Sequence, residues 1–291
     1  MCAKQKKNQK LYGPYVLAAV LLAIVAYFVG VRHQSPDVSG ELRVYFLDVG
    51  QGDCALIQTD AGAMLIDTGE SENAEAVIQF IRGRGIKSLA YAVATHPHSD
   101  HMGGMPRIIN AFPIDTFIAP SAMNTTVTFE RMLDALEDND VQITVPAVGD
   151  TFALGDAVVT ILAPRGEGYD NLNNASIVLR VDYGQTSFLF TGDAEALSER
   201  EMLEGAVSLD ADVLKVSHHG SNSSSTAAFL NAVSPEAAIL SCGSDNSYGH
   251  PHKEVVTRLE KLGADIWRTD WDGTVLAVSD GEMIELSAWG E

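Results

Sequence analysis

From Leu42 onward, apolar residues fall in short runs broken by glycine and aspartate. Leu42 to Val49 reads as a strand, Cys54 to Thr59 as a second and Met64 to Gly69 as a third. Gly50-Gln51-Gly52-Asp53 and Asp60-Ala61-Gly62 turn the chain between them, which predicts an antiparallel start. The period then changes: Val77, Ile78, Phe80 and Ile81 stand at helical spacing within Asn73 to Arg84, and Gly83 and Gly85 mark the end. Leu89 to Ala94 is again an apolar strand, after which His101 to Ala111 turns helical. Asp115 to Ala119 reads as a short strand, Phe129 to Leu136 as a helix and Gln142 to Val145 as extended chain. Four strands follow at Thr151 to Leu154, Val158 to Leu162, Ile177 to Val181 and Ser187 to Phe190. Ala196 to Leu203 is an acidic amphipathic helix, and Asp212 to Ser217 and Ala237 to Leu240 are strands. His252 opens a helix to Leu262, and strands near Ile266, Thr274 to Val278 and Met283 to Leu286 close the chain. Two runs of strands separated by helices suit an α/β (α+β) fold with two sheets face to face and helices outside.

The N-terminal pattern is different. Residues 1–14 are basic and polar, and Tyr15 to Val31 is uncharged and apolar. That run reaches the lower end of the roughly 17–25 residues a helix needs to cross a bilayer. Four lysines precede it and only Arg32 closely follows, so the positive-inside rule places residues 1–14 in the cytoplasm and the rest of the chain outside. The expectation is a single anchor at residues 15–31, a linker at 32–40 and one domain at 41–291; a cleaved signal peptide is the rival reading. His33, in the linker, has no functional reading.

Charge sharpens this division. The chain of 291 residues carries a formal net charge of −20. Five of its 19 basic residues lie in the first 36 positions, which hold no acid, leaving 14 against 39 acidic residues, or −25, for the remainder. Such a domain repels polyanions at long range, although a local cation site can still handle one phosphate. The three cysteines, Cys2, Cys54 and Cys242, make no disulfide framework.

Candidate chemistry gathers in Thr95-His96-Pro97-His98-Ser99-Asp100-His101, followed by Gly103-Gly104. Histidine is the commonest protein metal ligand, and carboxylate complements it for a divalent cation. Pro97 stiffens the turn after the strand, and His96 and His98 share a side if strand geometry persists. Asp100 and His101 fall on the next turn, within reach of a second cation. Asp193 leaves the strand Phe188 to Phe190 beside Gly192, as a carboxylate able to reach two cations or as the cap of the next helix. Asp67 ends its strand next to Thr68-Gly69 and reads as a turn aspartate or as the acceptor that orients a metal-bound histidine. His218 and His219 end the strand from Asp212; adjacent strand residues point to opposite sides, so only one of them faces a given metal. His218 is the expected ligand, and His219 either supports a ligand from behind or faces the phosphate. In the loop Tyr248-Gly249-His250-Pro251-His252, His250 is expected to reach the site and His252 to stand at a helix terminus.

These motifs, with Asn173 to Arg180 and Lys215 to Ser221, resemble the metallo-β-lactamase fold hydrolases. Over about residues 41–286 they look like the extracytoplasmic hydrolase domain of the ComEC competence proteins. The resemblance implies a four-layer αββα sandwich with a dinuclear site at one edge. His96 and His98 would hold one cation, Asp100 and His101 the other, Asp193 would bridge, and His218 matches the late histidine. Asp67, Asn174 and Asp48 would support these ligands. Many family members carry a histidine shortly before the bridging aspartate; here the segment offers Asn173 and Asn174, so the first cation site is expected to be weaker or completed by water. Two divalent cations are expected, zinc by the histidine content and manganese as the alternative given the oxygen donors.

The implied reaction is phosphodiester hydrolysis by a metal-activated water, with Asp100 orienting the water and His219 or His250 stabilising charge or protonating the leaving oxygen. The substrate is a nucleic acid or a cell-wall polymer; for a phosphocholine ester, Trp267 and Trp271 are candidate cage residues. A non-catalytic surface module is the third reading. The membrane is the one partner besides substrate that the sequence suggests, and a DNA-transport role is not expected to carry over.

Overall fold

A computed structural model describes residues 39–290. The anchor, the basic tail and all but the end of the linker lie outside the described residues. Among the described residues no helix is long and apolar enough to cross a membrane.

The chain begins with β1 (Leu42–Phe46), β2 (Ala55–Gln58) and β3 (Ala63–Ile66), an antiparallel meander. Helix α1 (Ala74–Gly83) buries Val77, Ile78 and Ile81 of the predicted face together with Ala74, while Phe80 is only partly buried. Strand β4 (Leu89–Val93) lies parallel to β3 and leads into two short helices, α2 (Ser99–Met102) and α3 (Met105–Ala111). The predicted continuous helix from His101 is thus broken at Gly103-Gly104. A side chain at Gly103 would collide with the Ser99 carbonyl oxygen, so the chain must be bare there. Then come β5 (Ile114–Ile118), α4 (Val127–Asp138) and β6 (Ile143–Thr144).

The second half supplies β7 (Thr151–Leu154), β8 (Ala157–Ala163), β9 (Val178–Tyr183) and β10 (Thr186–Phe190), all antiparallel neighbours. Helix α5 (Ala196–Leu203), β11 (Val213–Lys215), α6 (Ala227–Val233), β12 (Ala237–Leu240), α7 (Lys253–Leu262) and β13 (Asp265–Arg268) follow, and β10 to β13 run parallel. After the one-turn α8 (Thr269–Asp272), β14 (Val275–Ser279) and β15 (Ile284–Ala288) cross to the first sheet, where β14 pairs with β1. One sheet therefore has the order β15-β14-β1-β2-β3-β4-β5-β6 and the other β13-β12-β11-β10-β9-β8-β7.

Alternation along β1 shows how the layers form. Leu42, Val44 and Phe46 join the core between the sheets, while Tyr45 and Leu47 join the core under α1, α3 and α4. A strand buried on both faces is apolar at nearly every position, which is why β1 reads as a run, broken only by the half-buried Arg43 that pairs with Glu41. A third core, with Leu189, Leu214, Phe229, Leu230, Val255 and Leu259, lies between the second sheet and α5, α6 and α7. Phe46 and Phe190 stack across the sheets with ring centres 5.7 Å apart. Each such side chain stabilises the fold by about 1.5–3 kcal/mol through burial. Cys54 and Cys242 are both free and buried. Burial and Asp270 push the Cys242 thiol up to about 12.

Candidate metal centre

The parallel strands of both sheets end at one edge, and the candidate residues stand on the loops and turns that leave those strand ends. β3 delivers Asp67, β4 delivers Thr95 and His96, β10 delivers Asp193, and β11 delivers His218 and His219. The chain after β1 returns to this edge at Gly52-Asp53, where the Asp53 N–H donates to the Asp100 carbonyl at 3.1 Å. Gly52 has φ +151°, and an added Cβ would collide with that oxygen, so only glycine lets the two loops meet.

Asp67 is fully buried and fixes the start of the histidine motif. Its carboxylate accepts from the Thr95 N–H at 2.8 Å, the Thr95 hydroxyl at 2.7 Å and His101 Nδ1 at 2.8 Å. With Nδ1 turned to Asp67, His101 Nε2 is the ring atom left for a cation, and it lies 3.1 Å from Asp193 Oδ1. His96 Nε2 stands 3.0 Å from His98 Nδ1 and 3.7 Å from Asp193 Oδ2.

His218 and His219 do not diverge as strand residues would. β11 stops at Lys215, and Ser217–Gly220 forms a 3-10 turn in which both histidines adopt left-handed backbone, with φ 49° and 52°. That conformation costs about 1–2 kcal/mol per residue, so two in succession mark a site where geometry is imposed. The result is that both imidazoles face Asp193: His218 Nε2 is 3.6 Å from Oδ2, and His219 Nε2 is 3.6 Å from Oδ1 and 3.3 Å from Asp100 Oδ2. The expectation that only His218 turns to the ligand cluster is corrected, because the alternation rule holds only while the strand lasts. His219 is the more deeply buried of the two, and its Nδ1 donates to the Ser241 carbonyl at 2.9 Å.

Two residues expected to support the ligands lie elsewhere. Asp48 is exposed, and its carboxylate accepts the Gly50 N–H at 3.0 Å in its own turn. Asn174 Oδ1 accepts the N–H groups of Glu195 and Ser198, so it caps the start of α5. The acid that does face the cluster is Asp53, which reads as a turn residue in the sequence. Its Oδ1 is 3.2 Å from His219 Nδ1, and its Oδ2 is 2.8 Å from Lys215 Nζ. Burial pushes the Asp53 carboxyl up, but Lys215 and His219 outweigh it and hold it at about 2. A lysine inside the apolar run at residues 213–216 is the signal that a buried partner must exist.

Electrostatics follow the same layout. Burial alone would raise the Asp193 carboxyl, yet His101 and His219 hold it well below the usual range. Burial would lower His101, but Asp193, Asp67 and Asp100 raise it well above an ordinary imidazole. Among the described residues, the buried side-chain atoms without a hydrogen-bond partner include Asp53 Oδ1, His101 Nε2, Asp193 Oδ1 and His219 Nε2. Atoms of these four residues lie within 4.8 Å of one another. Two imidazole nitrogens and two carboxylate oxygens, buried and crowded together without a hydrogen bond of good geometry, fit a divalent cation.

The cluster floors a cleft of about 470 Å³ lined by His98, Asp100, Asp193, His218, His219 and His250 among others. His250 stacks on Tyr248 and has Nδ1 3.5 Å from Gln51 Nε2. Burial, then His219, His218 and His252, push His250 down to about 4, so it is neutral at pH 7. His252 stands before α7, and its Nδ1 accepts the Asn222 N–H at 3.2 Å. Neither tryptophan expected as a cage residue lines the cleft. Trp267 donates to Asp265, and Trp271 is exposed with the Arg268 guanidinium 3.6 Å over its ring.

Residues 47–244 match the family model of the metallo-beta-lactamase superfamily. The chain is 31% identical over 258 residues to ComE operon protein 3 of Bacillus subtilis (strain 168), covering 82% of this chain and 33% of that one. It is 32% identical over 238 residues to Recombination protein 2 of Haemophilus influenzae (strain ATCC 51907 / DSM 11121 / KW20 / Rd), covering 80% and 28%. The chain thus spans about a third or less of the length of these relatives. The crystal structure of the metallo-beta-lactamase fold protein YhfI from Bacillus subtilis superposes with a TM-score of 0.55 at 10% identity, over 84% of this chain and 100% of that chain, a likeness of fold alone. By sequence and by fold, the chain belongs to the metallo-beta-lactamase superfamily.

Proposed function

We propose that this chain is a metal-dependent hydrolase of phosphodiesters. The observation that carries the reading is the set of unpaired buried donors around Asp193. His96, which faces Asp193 Oδ2, and His98 beside it are assigned to one divalent cation; His101 and His219, which face Oδ1, and Asp100 beside His219 are assigned to the other. Divalent cations held by these residues would supply a water nucleophile at neutral pH and draw charge from the phosphoryl oxygens. The protein does the rest. Asp67 and Ser241 hold the protons of His101 and His219 on Nδ1, which keeps each Nε2 turned inward. Asp100, at the rim of the cleft, accepts a hydrogen bond from the attacking water and aligns it. Neutral His250 and the Gln51 amide donate to the phosphoryl or leaving oxygen.

Zinc suits the histidines and manganese the carboxylates. A nucleic-acid phosphodiester is favoured over a cell-wall ester, because relatives carry names in recombination and in the ComE operon, while no tryptophan lines the cleft. The apolar run at residues 15–31 supports attachment to a membrane with the domain on the outer side.

The test is hydrolysis of bis-p-nitrophenyl phosphate by the full chain in detergent, before and after chelation and on return of zinc or manganese. Turnover that appears only with metal is expected; turnover indifferent to chelation, or none with either metal, sinks the reading. Comparing single-stranded DNA with phosphocholine esters then separates the substrate classes. Asp67→Ala is expected to lower metal affinity about 10–100-fold, as loss of a residue that orients a ligand does. Calorimetric titration with manganese reads that change, and unaltered affinity would leave Asp67 with a structural part only.

A further inference from the structure

The division of the donors between the two oxygens of Asp193 leaves the first group one short. Around Oδ1 stand His101, His219 and, through His219, Asp100. At Oδ2 the motif itself provides only His96, with His98 against it at 3.0 Å. The third imidazole at Oδ2 belongs to His218, with Nε2 at 3.6 Å against 3.7 Å for His96 Nε2. The left-handed turn at residues 218 and 219 therefore sends one histidine to each oxygen of the same carboxylate.

The other side of His218 carries a second, independent sign. Its Nδ1 lies 3.3 Å from Glu195 Oε1 and 3.2 Å from the Ser223 hydroxyl. Glu195 is itself braced: Oε1 accepts from Ser223 Oγ at 3.0 Å and from Asn173 Nδ2 at 3.1 Å, and Oε2 accepts from Asn171 Nδ2 at 3.0 Å. A carboxylate at Nδ1 fixes the tautomer in which Nε2 is free, as Asp67 does for His101. His96 and His98 add a constraint of their own. Their facing nitrogens are 3.0 Å apart, a separation at which two lone pairs repel unless a proton or a cation lies between them.

We propose that His218 is the remaining protein donor to the cation held by His96, His98 and Asp193, and that Glu195 is its positioning residue. Asn173, which reads as a gap in the first site, serves that site indirectly by holding Glu195. Each cation then has four protein donors, with Asp193 shared. The proposal rests on the dinuclear reading above, and the experiment separates the two.

The full chain in detergent is loaded with manganese, desalted and read for metal content and for its electron paramagnetic resonance spectrum. The wild-type chain is expected to retain two manganese ions with a spin-coupled signal; retention of none overturns the dinuclear reading itself, whatever His218 does. His218→Gln is expected to retain one, with the coupled signal replaced by that of an isolated ion. His96→Gln combined with His218→Gln is expected to retain one still, because both act on the same cation. His218→Gln combined with Asp100→Asn is expected to retain none. Glu195→Gln is expected to weaken one manganese site about 10–100-fold and leave the other unchanged. Two coupled ions in His218→Gln overturn the proposal, as do complete loss in the His96/His218 pair and wild-type affinity at both sites in Glu195→Gln.

Discussion

Asp193→Ala is expected to retain almost no metal and to hydrolyse bis-p-nitrophenyl phosphate at least about a thousandfold more slowly than the wild-type chain. One carboxylate, 2% exposed, faces both groups of imidazoles, so its loss removes a donor from each. Cations in such sites supply several kcal/mol of charge stabilisation, and about 4 kcal/mol corresponds to a factor of a thousand. The fold should survive, since the side chain packs against histidines and not against the apolar core. Metal analysis beside kcat/KM makes the check: a variant that keeps both ions and more than a tenth of the activity removes Asp193 from the centre of the mechanism.

The second large effect is on stability. Lys215→Met is expected to destabilise the metal-free chain by about 3–5 kcal/mol, the usual result of removing one partner from a buried ion pair. Lys215 and Asp53 are 4% and 7% exposed at the side chain, and the ammonium also donates to the Val216 carbonyl at 2.9 Å. The methionine keeps the volume, so the loss reports the abandoned charge of Asp53 rather than a cavity. Urea denaturation compares the variants, and Lys215→Met with Asp53→Asn should recover most of the loss. A deficit below about 1 kcal/mol in the single variant would show that His219 alone balances Asp53.

Periodicity and improbable residue clusters are the two signals the sequence carries openly. The strands of the first meander, α1 and the histidine motif at residues 96–101 are local features, and each is readable because its pattern fits inside a dozen residues. Sheet membership is not local. β13 and β14 are separated by one turn of helix, yet the first extends the second sheet and the other pairs with β1, more than two hundred residues upstream. Nothing in Val275–Ser279 announces that partner, because an apolar strand is complementary to many others. The site divides in the same way. His96, His98, Asp100, His101 and Asp193 stand out by composition. Asp53 does not, since an aspartate after Gly-Gln-Gly looks like any turn, and its meaning lies in Lys215 on another sheet. Asp48, five positions earlier, looks equally apt in the sequence. The placing of both His218 and His219 at the cluster is hidden for a different reason: alternation governs residues inside a strand, and here the backbone has left the strand and turned left-handed.

The direction of β1 has a mechanical consequence. The strand rises about 13 Å from Leu42 to Phe46 toward the histidine edge, so the chain enters the domain at the opposite pole, beside the turns at residues 60–62 and 280–281. A force applied through the residues before Leu42 acts on that pole, opposite the histidine edge. The same pull runs along β1 while β2 and β14 grip it on both sides, so the load falls on two hydrogen-bonded ladders at once rather than peeling one strand from an edge.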